Sequence, residues 1–175
     1  MSNHHQSPSL TTTVTKEALH RVIRLVLEAA ELARSIGIPN LLQPGLIKEL
    51  IVAEILGHQP ITSKRDADAC DPNDPSILYE YLSCKEGGSG QLDRMFKEPP
   101  AKREESLLRI TRNKKIYFAV FYAENQTKVK VIYELDPDVV LVETNRQLDR
   151  SRNDISHVGF GEPWAKQNGK VVYHD

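Results

Sequence analysis

The chain has 175 residues, of which 39% are hydrophobic and 27% charged, and its formal net charge at pH 7 is -1. This length suits one well-buried core and is short for two, so we expect a single domain over residues 15–175. Two cysteines exclude a disulfide framework, and the lack of a long apolar span predicts no membrane segment. Together these features predict a cytoplasmic protein. The near-neutral charge neither supports nor excludes a nucleic-acid partner.

The N-terminal part of the chain predicts a tail followed by two helices. Residues 1–14 are rich in Ser, Thr, His and Gln, lack apolar periodicity and are expected to form a disordered tail. Apolar residues recur at helical spacing from Lys16 to Ile36, and a second helix is predicted from Leu46 to Leu56, ended by Gly57. The apolar stripe of the first helix would, on its own, be expected to cover the domain's own sheet.

The second predicted helix carries two glutamates that cannot share one site. Glu49 and Glu54 are separated by about 140° around the helix axis, at 100° per residue. Taken alone, Glu49 is interpreted as a solvated glutamate on an amphipathic helix.

The stretch from Lys64 to Arg94 concentrates acids and turn residues around one predicted strand. Residues Ile77 to Lys85 have the β-branched and aromatic content of a strand, and Asp68 and Asp71 precede it in a loop-like run. Converging carboxylates repel one another unless a cation neutralises them, and Mg²⁺ prefers such oxygen ligands. The stretch therefore predicts a Mg²⁺ site beside a strand that ends in a lysine.

This layout resembles the PD-(D/E)XK nuclease superfamily and, within it, the small homodimeric type II restriction endonucleases of the PvuII kind. Residues 31–71, ELARSIGIPNLLQPGLIKELIVAEILGHQPITSKRDADACD, are similar to that family's helix, its loop with an LQ-x-G segment, its second helix and its catalytic aspartate. Downstream, IYFAVFY, KVKVIYELDPDVV and GKVVY are similar in kind and order to its last strands. The resemblance covers roughly four-fifths of the chain.

The resemblance implies an α/β fold with a restriction-endonuclease-like core, in which a central mixed β-sheet is flanked by helices. It implies Mg²⁺-dependent hydrolysis of duplex DNA at a short palindromic sequence, by a homodimer whose interface includes the N-terminal helix, in a system with a cognate DNA methyltransferase. Two alternatives stay open: a structure-selective nuclease of the same superfamily, and a DNA-binding module that has lost catalysis. Pro44 stands where the resembled enzymes have an acidic minor-groove residue, so that contact is not carried over.

The catalytic residues implied by the resemblance are Asp68, Glu80 and Lys85, with Asp68, Glu80 and Glu49 as metal ligands. Side chains alternate along a strand, so an acid and a lysine that share a site must lie two residues apart, whereas Glu80 is five residues before Lys85. Either a β-bulge restores their convergence, or Ser83-Cys84-Lys85 is a degenerate motif whose acid comes from elsewhere. The candidates for a migrated acid are Glu86, Asp93 and Glu98.

Several polar segments are candidates for contact with DNA. Residues Gln91 to Arg94 are predicted to begin a helix after a glycine-rich turn, Pro99 to Arg103 to form a polar connection, and Ser156 and His157 to lie in a loop. Solvated loops would explain the same charges. The DNA-binding candidates are Ser89, Gln91, Arg94, Lys102, Arg103, Ser156 and His157.

The C-terminal half of the chain predicts the rest of the sheet. Strands are expected at Ile116 to Tyr122, at Lys128 to Leu135 and at Lys170 to Tyr173. Between them, Asp136-Pro137 is predicted to turn the chain into a short element at Val139 to Val142, followed by a polar segment.

Overall fold

The computed structural model describes residues 15–62 and 67–175, which fall into two compact units divided between Leu42 and Gln43. The predicted tail at 1–14 and residues 63–66 of the acidic stretch lie outside the described residues. Of the helices in the described part of the chain, none combines the length and the apolarity that a bilayer crossing requires.

The first unit contains one long helix, α1 (Lys16–Ser35), which confirms the helix predicted there. The Thr15 hydroxyl accepts a hydrogen bond from the backbone N–H of Ala18 at 3.2 Å, so a side chain caps the first turn. Many of the large apolar side chains of α1 are more than a third exposed. They are Leu19, Val22, Ile23, Leu25, Val26, Leu27 and Leu32.

The second unit is an α/β domain with a central mixed sheet. Its elements are α2 (Leu46–Leu56), β1 (Gln59–Pro60), β2 (Ala69–Cys70), β3 (Leu78–Lys85), β4 (Ser89–Phe96), α3 (Pro100–Thr111), β5 (Lys115–Phe121), β6 (Val129–Leu135), α4 (Pro137–Arg150), β7 (Ile155–Gly161), α5 (Glu162–Asn168) and β8 (Lys170–His174). The sheet has the order β1-β2-β3-β5-β6-β8, and β4 and β7 form a separate two-stranded ribbon. Strands β3 and β5 are parallel, whereas the other neighbours are antiparallel. The predicted mixed sheet flanked by helices is confirmed.

Helices cover both faces of this sheet. On one face, Val52 and Ala53 of α2 pack against the aromatic side chains of β3 and β5. On the other face, α3, α4 and α5 contribute Ile110, Val140 and Ala165 to a core that contains Phe118. Strand β5 lies between the two layers, which explains why its sequence is almost continuously apolar.

Helix α4 replaces the turn and short element predicted after Leu135. The valines Val139 to Val142 suggested only a short element, but the buried residues of this segment are Val140, Thr144 and Leu148, which are four apart and so lie on one helical face. Pro137 occupies the first helical turn, where its fixed φ favours a helix. The connection predicted from Pro99 is likewise the start of α3, again with proline in the first turn.

Strand β4 replaces the helix start predicted at Gln91. Its residues alternate between exposed and buried up to Asp93, and it pairs with β7, more than 60 residues later in the chain. The expected loop around Ser156 and His157 is therefore strand β7. Pairing with a distant strand overrides local sequence preference, which is why the sequence did not indicate this ribbon.

A β-bulge interrupts the β4–β7 ribbon. Leu92 pairs with Val158 and Met95 with Ser156, so that Asp93 and Arg94 both stand opposite one residue, His157. Arg94 adopts a positive φ of 53°, which is uncommon for a residue with a side chain. The bulge turns two consecutive polar side chains toward the same part of the molecule.

Candidate functional site

Three hydrogen bonds to backbone groups hold Asp68 between the end of β1 and the start of β3. Its N–H donates to the Tyr79 carbonyl at 3.1 Å, and its own carbonyl accepts from the Ile61 N–H at 2.9 Å. Its carboxylate oxygen Oδ2 accepts from the Tyr81 N–H at 2.7 Å. The Asp68 carboxylate is therefore fixed next to Glu80 in space, because it binds the backbone of the residue that follows Glu80 on β3.

The turn at Asp71, which follows Asp68, connects β2 to its antiparallel neighbour β3. Asp71 Oδ1 accepts hydrogen bonds from the backbone N–H groups of Asn73 and Asp74 at 2.8 and 3.2 Å. Such a side-chain turn brings β3 back antiparallel to β2. The second aspartate of the acidic stretch thus has a structural role, and Asp68 is the one that faces Glu80.

Glu80 is a buried acid, with 9% of its surface exposed. Its Oε2 atom makes no hydrogen bond to the described residues and lies 4.0 Å from Nη2 of Arg112. Burial, with a further contribution from the Asp68 carboxylate, raises its pKa well above the usual glutamate range. A buried carboxylate oxygen with unused acceptor capacity is suited to bind a cation.

Two further acids share this electrostatic environment. Burial raises the pKa of Asp68, although the Tyr81 N–H and the guanidinium groups of Arg109 and Arg112 oppose the increase. Burial and the neighbouring Asp68 carboxylate raise the pKa of Glu49 to about 7. Three acids whose charges repel one another therefore lie near the start of β3.

Glu49 lies in the first turn of α2, where the Asp68 charge influences it, whereas Glu54 on the same helix is exposed. Gly57 ends α2 in the left-handed conformation at φ 69°, and the helix packs on the aromatic face of the sheet. Among the described residues, however, no three His, Cys, Asp or Glu side chains are close enough to enclose a metal ion. The predicted ligand set of Asp68, Glu80 and Glu49 is thus not assembled as a closed cage in this conformation.

Asp68 and Glu80 open onto a cleft of about 810 Å³. The cleft lies between the start of β3, the bulge of β4 and one face of α3. Its charged lining consists of Asp68, Glu80, Asp93, Arg94, Lys102, Glu105, Arg109 and Arg112. The acids at its floor are therefore accompanied by cations on its walls, an arrangement suited to a phosphate ester with a divalent ion.

The sequence did not single out Arg109 and Arg112 as site residues. They are three residues apart on α3 and its C-terminal end, and thus on one side of the helix. Their side chains face Asp68 and Glu80 from across the cleft. The available signal was this pair of arginines one helical turn apart just before the central strand β5, but without the fold nothing connected it to the acids.

Lys85 does not lie with the two acids. Strand β3 pairs with β5 in unbroken register from Tyr79 to Lys85, so the β-bulge proposed between Glu80 and Lys85 is absent and that prediction is wrong. Lys85 has the opposite facial parity to Glu80 and is exposed at the far end of the strand. Four residues separate it from Tyr81, roughly 13 Å along the strand, so Asp68 and Lys85 occupy different regions.

The alternative acids occupy three different settings. Glu86 Oε1 accepts a hydrogen bond from Lys130 Nζ at 2.7 Å, and Glu86 Oε2 accepts from the Ala123 N–H at 3.1 Å. Glu98 is exposed, whereas Asp93 lines the cleft, where its carboxylate lies 2.7 Å from Nδ1 of His157. Asp93 is the only one of these three that the structure brings to the region of Asp68 and Glu80. Ser83 shares a face with Lys85, not with Glu80.

The DNA-binding candidates divide into three groups. Arg94 and Lys102 line the cleft. Arg103 instead joins α3 to α4, because its Nη2 atom donates to Asn145 and Asp149 at 2.7 and 2.8 Å. The remaining candidates lie on the ribbon of β4 and β7, and they are Ser89, Gln91, Ser156 and His157.

No protein-family description matches the chain, and no curated protein is significantly similar to it.

Proposed function

We propose that this protein is a Mg²⁺-dependent type II restriction endonuclease that hydrolyses phosphodiester bonds of duplex DNA at a short palindromic sequence. The observation that carries this proposal is the pairing of Asp68, fixed by the Tyr81 N–H, with buried Glu80 at the floor of a cleft lined by arginines. The restriction-endonuclease-like core is part of the proposal. It is supported by the antiparallel β2–β3 hairpin, the parallel β3–β5 pair and the flanking helices.

The residues fit a magnesium ion held by two carboxylates. Mg²⁺ keeps several of its waters and is commonly bound through one or two carboxylates together with substrate phosphates. Asp68 and Glu80 would hold it, and the unused Oε2 of Glu80 supplies a free acceptor. When bound, the ion supplies Lewis-acid activation of water and neutralises charge on the phosphate.

The chain's own residues bind and orient the substrate. The Tyr81 N–H fixes the Asp68 carboxylate, so its orientation does not depend on the ligand. Arg94 and Lys102 provide positive charge at the cleft for the DNA backbone. The exposed polar residues of the β4–β7 ribbon are suited to contact base edges, since a two-stranded ribbon fits the major groove.

The partners follow from the same proposal. Two symmetric active sites cut both strands of a palindromic site, and the exposed apolar residues of α1, such as Val22 and Leu25, are suited to bury against a second copy. We therefore propose a cytoplasmic homodimer that acts with a cognate DNA methyltransferase. Sedimentation should give a dimer, and Leu25→Asp should shift it to the monomer; a monomeric wild-type protein would contradict the dimer.

Digestion of a sequenced plasmid tests the activity. We expect discrete fragments with Mg²⁺, none in EDTA and none from Asp68→Ala. Lys128→Met is a matched control, because Lys128 is exposed and pairs with Asp175 away from the cleft, and it should cut like the wild type.

The alternatives give different results in the same assay. Cleavage of branched DNA only would indicate a structure-selective nuclease of the same superfamily. Duplex binding without Mg²⁺-dependent cleavage would indicate a DNA-binding module that has lost catalysis. Loss of activity in the Lys128→Met control would indicate that the Asp68→Ala result is not specific to the site.

A further inference from the structure

The position that would hold a lysine beside Glu80 holds a core residue instead. A lysine that shares a site with Glu80 should be two residues later on the same face, and this residue is Leu82. Leu82 is 2% exposed and packs in the core with Phe118. Because Lys85 lies at the far end of β3, no lysine of this strand reaches the acids.

Two guanidinium groups occupy the space opposite the acids. Nη2 of Arg112 lies 4.0 Å from Oε2 of Glu80, and both Arg109 and Arg112 line the cleft. Asp68 and Glu80 line the same cleft as the two arginines, so positive charge faces both carboxylates. Cationic charge at the acids therefore comes from α3 and not from β3.

Contacts with β4 fix the direction of the Arg109 side chain. Its Nη1 atom donates to the backbone carbonyl of Asp93 at 2.8 Å and lies 4.0 Å from the sulfur of Met95. This anchor ties the guanidinium to the bulged strand β4 and leaves its other N–H groups for a ligand, since guanidinium has five donors. Arg112 follows one helical turn later, where α3 ends.

We propose that Arg109 and Arg112 bind the scissile phosphate of the DNA and take the place of the strand-borne lysine. This inference rests on the proposed nuclease function. The arginine guanidinium stays protonated throughout the pH range in which enzymes act, and it can donate hydrogen bonds to two phosphate oxygens at once. The two residues therefore hold the phosphate and stabilise its developing negative charge, and they transfer no proton.

Paired substitutions at the two arginines test this inference. Arg109→Met and Arg112→Met should each lower the single-turnover cleavage rate with Mg²⁺ by about 10²- to 10³-fold, the usual effect of removing one oxyanion donor. Arg109→Lys and Arg112→Lys should recover part of this loss, because lysine keeps the charge but not the two-pronged geometry. Arg146→Lys is a matched control with the wild-type rate expected, since Arg146 is exposed and pairs with Glu143 on α4.

Binding provides a readout that does not depend on cleavage. The binding constant K of a duplex fragment of the plasmid is measured in EDTA at several salt concentrations. For each methionine variant, the magnitude of the slope of log K against log salt concentration should be smaller by about 0.9 than in the wild type, as expected for one lost phosphate contact. A purely structural role for the arginines would leave this slope unchanged. Circular dichroism identifies any variant that fails to fold, and the lysine variants then decide the question.

The outcomes separate the two proposals. A wild-type protein that cuts DNA, with arginine variants that match it in rate and salt slope, overturns this inference alone. Strong loss in Lys85→Met together with wild-type rates in the arginine variants also overturns it. A wild-type protein that neither cuts nor binds duplex DNA overturns the nuclease function and this inference with it. If the protein binds but does not cut, a reduced slope supports the arginine contacts and an unchanged slope contradicts them.

Discussion

The two ends of strand β3 carry glutamates in opposite electrostatic states. Glu80, near the start, is buried and its Oε2 atom lacks a hydrogen bond to the described residues. Glu86, just past the end, accepts hydrogen bonds from Lys130 and from the Ala123 N–H, which lower its pKa. Burial instead raises the pKa of Glu80.

This contrast separates a structural acid from a candidate functional one. Both carboxylate oxygens of Glu86 already accept a hydrogen bond, and Lys130 balances its charge. Glu80 is kept in an environment that disfavours its own charge, which a bound cation would relieve. The difference comes from the surroundings of the two residues, because the residue type is the same.

The largest effect is expected on the cleavage rate, where the two glutamates should differ most. Glu80→Gln removes one of the two proposed cation ligands and should lower Mg²⁺-dependent plasmid cleavage by at least about 10²-fold. Glu86→Gln, the matched change at the other end of β3, should leave the rate close to that of the wild type. Equal rates for the two variants would remove Glu80 from the site.

A second prediction uses the pH dependence of stability in EDTA. The folded-state pKa values of Glu49, Asp68 and Glu80 lie above their unfolded values, so the folded state holds these protons longer. The stabilising contribution of these three acids should be fully present below about pH 4.5 and be lost as pH rises; for Glu49 the loss falls between pH 4.5 and about 7. The slope should reach roughly 1.4 kcal/mol per pH unit for each carboxylate that titrates.

Urea unfolding between pH 4.5 and 8 measures this slope. Glu80→Gln should flatten the curve, and Mg²⁺ should stabilise the wild type most at the alkaline end, where the acids are ionised. Glu86→Gln should keep the wild-type slope in this range, because the pKa of Glu86 is lowered and its contribution is lost only as pH falls further. A wild-type protein that becomes more stable with rising pH would contradict the arrangement of acids.

A third prediction concerns the helix that carries the two arginines. The buried Ser106 hydroxyl accepts a hydrogen bond from the Phe96 N–H at 3.2 Å and donates to the Arg103 carbonyl at 2.9 Å, which ties α3 to β4. Ser106→Ala should lower the free energy of unfolding by about 1–2 kcal/mol. Ser76→Ala, in an exposed turn, is the control and should have a smaller effect. If both variants lost the same free energy of unfolding, the hydrogen bonds of Ser106 between α3 and β4 would contribute no more stability than those of an exposed turn.

The smallest effect is expected for the stability of Glu86→Gln. The ion pair with Lys130 is partly exposed, and such pairs are weak and screened by salt. The melting temperature should therefore fall slightly at low ionic strength and return toward the wild-type value at high salt. A large decrease that persists at high salt would mean that Glu86 supports the sheet in another way.

Local patterns predicted most of the elements well. The apolar periodicity of α1 and α2, the glycine that ends α2, and the β-branched content of β3, β5 and β6 all depend on neighbouring residues, and the structure confirms them. The prediction that α4 is a short element and a loop was wrong, because its valines outweighed the four-residue spacing of its buried positions.

The site was less predictable because it depends on contacts between distant segments. Asp68 was named from its place before β3, but the distances to Arg109 and Arg112 are set by how α3 packs, about 30 residues later in the chain. The role of Lys85 was inferred from a motif, and strand parity alone already argued against it. The ribbon of β4 and β7 joins residues that are 59 to 72 positions apart in the sequence, a separation that no local pattern indicates.

The extra residue in β4 has a consequence for how this protein tolerates length changes. Asp93 and Arg94 together face one residue of β7, so deleting either would make the ladder regular and relieve the positive φ at Arg94. Both of these side chains are exposed, whereas Leu92 and Met95 on either side of them are buried, so a one-residue deletion would keep Leu92 and Met95 on the core face. Such a deletion would therefore spare the ribbon but remove one of the two charged side chains that stand together at this edge of the cleft.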